Sequence, residues 1–131
     1  MAGIAAGLAG CGAQTRRNEL RPPTPITITA AIHDDAVHVS PTHFGAGPIV
    51  LVISNQSSSA QRVTFETDEL GGSTGGIQQT TTAISPQDTG QLQVDVRRGS
   101  YRIRVHTRAI RAAEVRVGAE RPSAQDALLQ P

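Results

Sequence analysis

The sequence predicts an all-β protein, a Greek-key sandwich of seven to eight strands with a short C-terminal helical turn. Three observations carry this. Apolar residues recur at every second position in one segment after another, as in Leu92, Val94 and Val96 between Gln91, Gln93 and Asp95. Turn signals separate these segments at a spacing of roughly 8 to 12 residues. No helical period of 3.6 is sustained before the tail, and the composition is rich in Gly, Pro, Ser and Thr, with aromatics limited to Phe44, Phe65 and Tyr101.

The elements follow in order from residue 26. Ile26, Ile28 and Ile32 alternate with Thr27 and Thr29, and Asp34-Asp35 turns the chain into Val37-His38-Val39. Residues 48 to 53, PIVLVI, are apolar on both faces, as a central strand requires. After the polar turn of residues 55 to 59, Val63 and Phe65 alternate with Arg62 and Thr64, and a Gly-rich loop runs from Glu66 to Gly76. A weaker strand is expected over 80 to 84, a turn at Ser85-Pro86-Gln87-Asp88, then the clean alternation to Val96. Arg97-Arg98-Gly99 turns into RRGSYRIRVHTR, where Tyr101, Ile103 and Val105 face one way and Arg102, Arg104 and His106 the other. A last strand spans 113 to 117, and the pairing is expected to be antiparallel. Ser123 and Asp126 stand at capping-box spacing before Leu128 and Leu129, which places the helical turn there.

Charge and composition exclude several classes. Twelve basic and 11 acidic side chains nearly cancel, so bulk electrostatics points to no nucleic-acid partner. All the basic residues are arginine. That rules out a Schiff-base or P-loop lysine, and the abundance of Ala, Gly and Arg suggests a GC-rich bacterial genome.

Cys11 is the sole cysteine and cannot form an internal disulfide. Leu8-Ala9-Gly10-Cys11 resembles the lipobox of bacterial lipoproteins, which implies acylation of the Cys11 thiol and cleavage just before it. The segment departs from a full signal peptide in lacking a basic start and in its short apolar region. The expected organisation is a signal peptide and lipobox over 1–11, a polar linker over 12–25, the sandwich over 26–118 and a tail over 119–131. Localisation is then extracytoplasmic, with the membrane as partner through acyl chains worth about 0.8 kcal/mol per buried methylene. Arg16, Arg17 and Arg21 in the linker stand where anionic headgroups would be near.

Several pieces together resemble cupredoxin-like sandwiches. These are Leu51-Val52-Ile53 ending in Ser54-Asn55, then Val63-Thr64-Phe65, Ile84-Ser85-Pro86 and Gly99-Ser100-Tyr101-Arg102-Ile103. The resemblance covers roughly residues 26 to 118 and implies a Greek-key fold. Copper-carrying members place a histidine near the position of Gln61 and a cysteine at that of Val105, followed by a histidine and a methionine. Here Thr107-Arg108-Ala109-Ile110-Arg111 follows without either, and Met1 is the only methionine. The resemblance therefore implies a member without copper, in which Val105 is core and no cofactor is expected.

Other candidates are weaker. His33, His38 and His43 recur every five residues and are the alternative site, for copper or zinc handling, though no carboxylate or thiol stands at ligand spacing. Gly71-Gly72-Ser73-Thr74-Gly75 matches a nucleophile elbow by letter, but a polar stretch follows where a helix is needed. Asp68 and Glu69 lack the spacing of a calcium loop, and Asn55-Gln56-Ser57 is a glycosylation sequon by letter only. The densest charge is the row Arg102, Arg104, His106 and Arg108, an anion-docking face for a surface polymer or protein partner, or a solvated face paired with Asp95 and Glu114. The functional expectation is a non-enzymatic, membrane-tethered binding or structural module.

Overall fold

Alternation of apolar and polar residues produces eight strands in the computed structural model, which describes residues 22–68 and 76–123. They are β1 (Ile26–Ile32), β2 (Val37–Ser40), β3 (His43–Asn55), β4 (Val63–Thr67), β5 (Gln78–Thr80), β6 (Thr89–Val96), β7 (Gly99–Val105) and β8 (Ala113–Glu120). No helix occurs among the described residues, and the expected turn after Ser123 lies outside them.

Two layers share one strand. The first runs β2-β1-β3-β6 and the second β3-β8-β7-β4-β5. β3 belongs to both: His43 to Ala46 pair with β8, and Gly47 to Ser54 pair with β6 while Ile49 to Asn55 pair with β1. The all-β expectation holds, but the pairing is mixed rather than antiparallel throughout. β1–β3 and β3–β8 are parallel. Parallel neighbours normally need a long crossover. Here β3 itself crosses from one layer to the other, so the chain reaches the far side of β1 without a helix. The weak strand expected over 80 to 84 forms earlier, at β5, because the backbone of Ile84 pairs with that of Gln61 as an isolated bridge.

The inward residues of both layers form the core. Ile28, Ile32, Ile49, Leu51, Ile53, Val63, Phe65 and Ile103 are almost wholly buried, and the Phe65 and Tyr101 rings stack with centroids 5.1 Å apart. The Tyr101 hydroxyl donates to the Arg97 carbonyl at 2.7 Å and accepts from the Arg97 N–H at 3.0 Å. It thereby ties the turn between β6 and β7 to the core beneath it.

The bend in β3 has a specific support. Register with β8 shifts between Gly45 and Ala46, and Gly47 has φ +132°, a conformation that side chains resist. The half-buried Arg121 lies across this bend. Its guanidinium donates to the carbonyls of Gly45, at 2.6 Å, of Thr24, at 3.2 Å, and of Pro48, while its backbone N–H donates to Ala46 at 2.9 Å. A Cβ on Gly45 would stand 2.7 Å from the Arg121 Cγ, and one on Gly47 2.9 Å from its Nη2. Gly45 is also closed in by the Ala119 carbonyl, 2.8 Å from such a Cβ, and Gly47 by its φ, so both positions call for glycine. Burial lowers the Arg121 pKa from its ordinary value, with Asp95 acting in the opposite direction.

Replacing Arg121 with Ala removes the side-chain donor to three carbonyls around the bend, so Arg121→Ala should destabilise the fold by about 1 to 3 kcal/mol in urea titration, with Arg121→Lys recovering only part of it.

Candidate functional site

The alternation on β7 sends Tyr101, Ile103 and Val105 into the core and Arg102 and Arg104 outward, as the sequence predicts. The outward arginines are neutralised across β4. Arg104 Nε donates to Glu66 Oε1 at 2.8 Å, and Arg102 Nη2 lies 2.9 Å from Asp68 Oδ1. Glu66 is buried although charged, consistent with this pairing. The expected partners Asp95 and Glu114 are corrected accordingly. Asp95 belongs to β6 in the other layer, and Glu114 stands opposite Arg102 in register. The neighbour that decides is β4, which carries Glu66 and is followed at once by Asp68, its N–H bonded to the Ser100 carbonyl on β7 at 2.9 Å.

The remaining cations of the row sit on the loop between β7 and β8. His106, Arg108 and Arg111 are exposed, and no ion pair engages them among the described residues. This loop is anchored at three points. Thr107 Oγ1 donates to Gln61 Oε1 at 3.1 Å, Ile110 is buried in the core, and the Arg111 backbone bonds on both sides, to Asp35 at 2.9 Å and Val37 at 2.8 Å. Together with Arg102 and Arg104, these three line an open cleft of about 710 Å³ in which Glu114 is the acidic wall. A pinned loop presents its guanidinium groups at low entropic cost, and planar forks suit phosphate or carboxylate. In the sequence Arg111 stands only near the row, because the strand alternation that aligns Arg102 and Arg104 ends before it.

The end of the sandwich beneath this loop is filled by a polar network. Asn55 is fully buried, donates to Ser59 at 2.9 Å and Ile84 at 2.8 Å, and accepts from the Ser57 N–H at 2.9 Å and hydroxyl at 2.6 Å. Gln61, also buried, donates to Ser59 Oγ at 3.0 Å besides accepting from Thr107. Val105 pairs with Val63 and is core. The two positions that the sequence resemblance assigns to an imidazole and a thiolate, Gln61 and Val105, carry an amide already bonded and an alkyl group. These residues do not fit the metal. The sequence places Asn55 at the end of the central strand and the start of the polar turn 55 to 59, but the burial of that turn is not legible from the run NQSSS alone.

Of the three histidines, His33 and His38 meet edge-on with ring centroids 5.1 Å apart, while His43 begins β3 beside Arg116. Among the described residues no group of three potential ligands forms. Cys11, Arg16, Arg17, Arg21, Glu69 and Ser73 lie outside the described residues.

No family model and no curated protein matches the chain. Among solved structures it is similar to Na-dithionite reduced auracyanin from the photosynthetic bacterium Roseiflexus castenholzii, at 12% identity and TM-score 0.51 over 73% of this chain and 98% of that one. A Cu(I) mutant of amicyanin is similar at 10% identity and TM-score 0.43, over 76% and 99%. The likeness to auracyanin, with the strand order above, makes the fold a cupredoxin-like β-sandwich.

One acid joins the turn between β1 and β2 to the Asn55 network. Asp34 Oδ1 accepts from the Ser58 N–H and hydroxyl, both at 2.9 Å, and the backbone bond above all holds its pKa below the ordinary 3.8. A carboxyl depressed on folding contributes stability above its unfolded pKa and loses it as pH falls through the folded one. Thermal melts taken downward from pH 5 should thus show an acid-side loss that is shallower in Asp34→Asn than in the wild type.

Proposed function

We propose that the chain is a non-enzymatic, extracytoplasmic binding module, tethered to the membrane through lipidated Cys11, whose copper-free cupredoxin-like domain docks an anionic surface polymer on the loop between β7 and β8. The observation that carries the reading is the contrast along one basic row. Arg102 and Arg104 are consumed by Asp68 and Glu66, whereas His106, Arg108 and Arg111 are displayed unpaired, among the described residues, from a loop fixed at Gln61, Ile110 and Asp35. Fixed cations over an open cleft fit repeated phosphate or carboxylate groups better than a small ligand that must be enclosed. Tethering at the envelope surface would place that face among such polymers.

The absence of copper rests on donor chemistry. Gln61, Val105 and the residues after them supply no thiolate and no imidazole pair at the positions the fold would use.

Binding of fluorescent polyphosphate by the soluble domain should weaken by about tenfold in the double variant Arg108→Gln/Arg111→Gln, fall with added salt, and change little in Arg102→Gln. Equal affinity of the double variant and the wild type would remove the docking assignment. In a bacterial host, radiolabelled palmitate should enter the full chain and not Cys11→Ser. Calorimetric titration of the purified domain with copper(II) and zinc(II) should give no heat at micromolar concentration, whereas binding abolished by His33→Ala/His38→Ala would favour the histidine alternative.

A further inference from the structure

A second cationic cleft lies toward the other end of β7 and β8, and no part of the reading above uses it. Its geometry follows from register. His43, Arg116 and Ser100 are direct partners on three adjacent strands, His43 opposite Arg116 and Arg116 opposite Ser100. Partners in register share a face of the sheet. Their chain neighbours Phe44, Val117 and Tyr101 are buried, so these three project outward. The next outward position on β8 is Gly118, in register with Gly45. It has no side chain, and a Cβ there would approach the His43 ring no closer than 3.7 Å.

The result is a row of imidazole, guanidinium and hydroxyl beside a bare patch of strand. Arg98, from the turn between β6 and β7, closes the other side. That turn is held by Tyr101 bonding to Arg97, and Gly99 at φ +152° gives it room. The backbones are likewise fixed, with the Arg116 N–H on Thr42 at 2.8 Å and the Asp68 N–H on Ser100 at 2.9 Å. The cleft has a volume of about 360 Å³ and no acidic residue among its lining. Of the acids near this face, Asp68 holds Arg102, and Glu114 and Glu120 on β8 are not among the cleft's lining. Among the described residues His43, Arg98 and Arg116 have no ion-pair partner.

We infer that this cleft is a site for a single phosphomonoester group. Two guanidinium groups, an imidazole and a hydroxyl line one small cleft, a donor set numerous enough for the several oxygens of a tetrahedral anion rather than the two of a carboxylate. Gly118 supplies the floor on which the anion can approach the backbone. The site is separate from the loop of His106, Arg108 and Arg111 and does not depend on its role.

Two-dimensional NMR of the soluble domain titrated with inorganic phosphate, then with glycerol phosphate, tests the assignment. Resonances of His43, Gly99, Ser100 and Gly118 should shift in a saturable manner at millimolar phosphate, with acetate weaker by at least about tenfold. Arg116→Gln should weaken phosphate binding by about tenfold, and Gly118→Val should abolish it by filling the floor while leaving all charges in place. Arg62→Gln, at an exposed cation that lines neither cleft, should leave it unchanged. Shifts confined to the loop of residues 106–111, acetate binding as tightly as phosphate, or full binding by a folded Gly118→Val domain would each overturn the inference.

Discussion

The whole sandwich depends on one strand bending without losing its hydrogen bonds. β3 must be long enough to serve two layers and apolar where it lies between them, and its residues 47 to 54 meet both conditions. A bend also turns backbone carbonyls out of the ladder, and a buried carbonyl without a partner is costly. Arg121 answers this with a planar group that reaches several carbonyls from one side chain, something an ammonium cannot reproduce with the same fixed geometry. Because the parallel pairings of β1 and β8 are both made on β3, the angle of the bend sets where the two layers present their loops. The contact of Arg111 with Asp35 and Val37 joins a loop of one layer to a turn of the other. It exists only while that angle holds.

Charge on the outer face is arranged by the same framework. β4 places Glu66 and Asp68 beside Arg102 and Arg104, so the middle of β7 carries pairs rather than net charge. Exposed pairs of this kind add little to stability, about 0 to 1 kcal/mol each, although the buried position of Glu66 makes its pairing with Arg104 obligatory. Their larger effect is on what is left over. Cations gather at the loop after β7 and, toward the opposite end, around Arg98 and Arg116, with a neutralised band between them. A chain whose formal net charge is only +1 thus presents two local concentrations of positive charge.

How much of this was legible in the sequence differs by the range of the interaction involved. Most strand positions and the core identity of Val105 follow from period-two alternation, which is local, whereas the weakly patterned segment 80 to 84 is misplaced by it. Parallel against antiparallel pairing is not local: β1 and β3 have the same alternation whichever way they run, and the crossover of β3 between layers has no composition of its own beyond Gly45, Gly47 and Pro48. The ion pairs of Arg102 and Arg104 were assigned to Asp95 and Glu114 on proximity in sequence, whereas Glu66 and Asp68 are reached only once β4 is known to flank β7. Arg121 stands among residues read as tail, and the cleft around His43, Ser100 and Arg116 needs the register of three strands before it exists at all.

The end of the sandwich under the loop is closed by a buried polar network. In a metal-bearing relative the ion would have to organise the loop ends around it. Here Asn55 and Gln61 do that by hydrogen bonding, each amide meeting both a donor and an acceptor within the protein. A satisfied buried network rigidifies its surroundings, and opening it would leave several polar groups without partners. An ion offered to this end would therefore have to displace the Thr107–Gln61 bond to gain an amide oxygen, a poor exchange for a soft metal that seeks sulfur and imidazole. The same bond is one of the three anchors of the loop. The network that fills this end is thus also what holds Arg108 and Arg111 in place, so the closed apex and the displayed cations are two consequences of one arrangement.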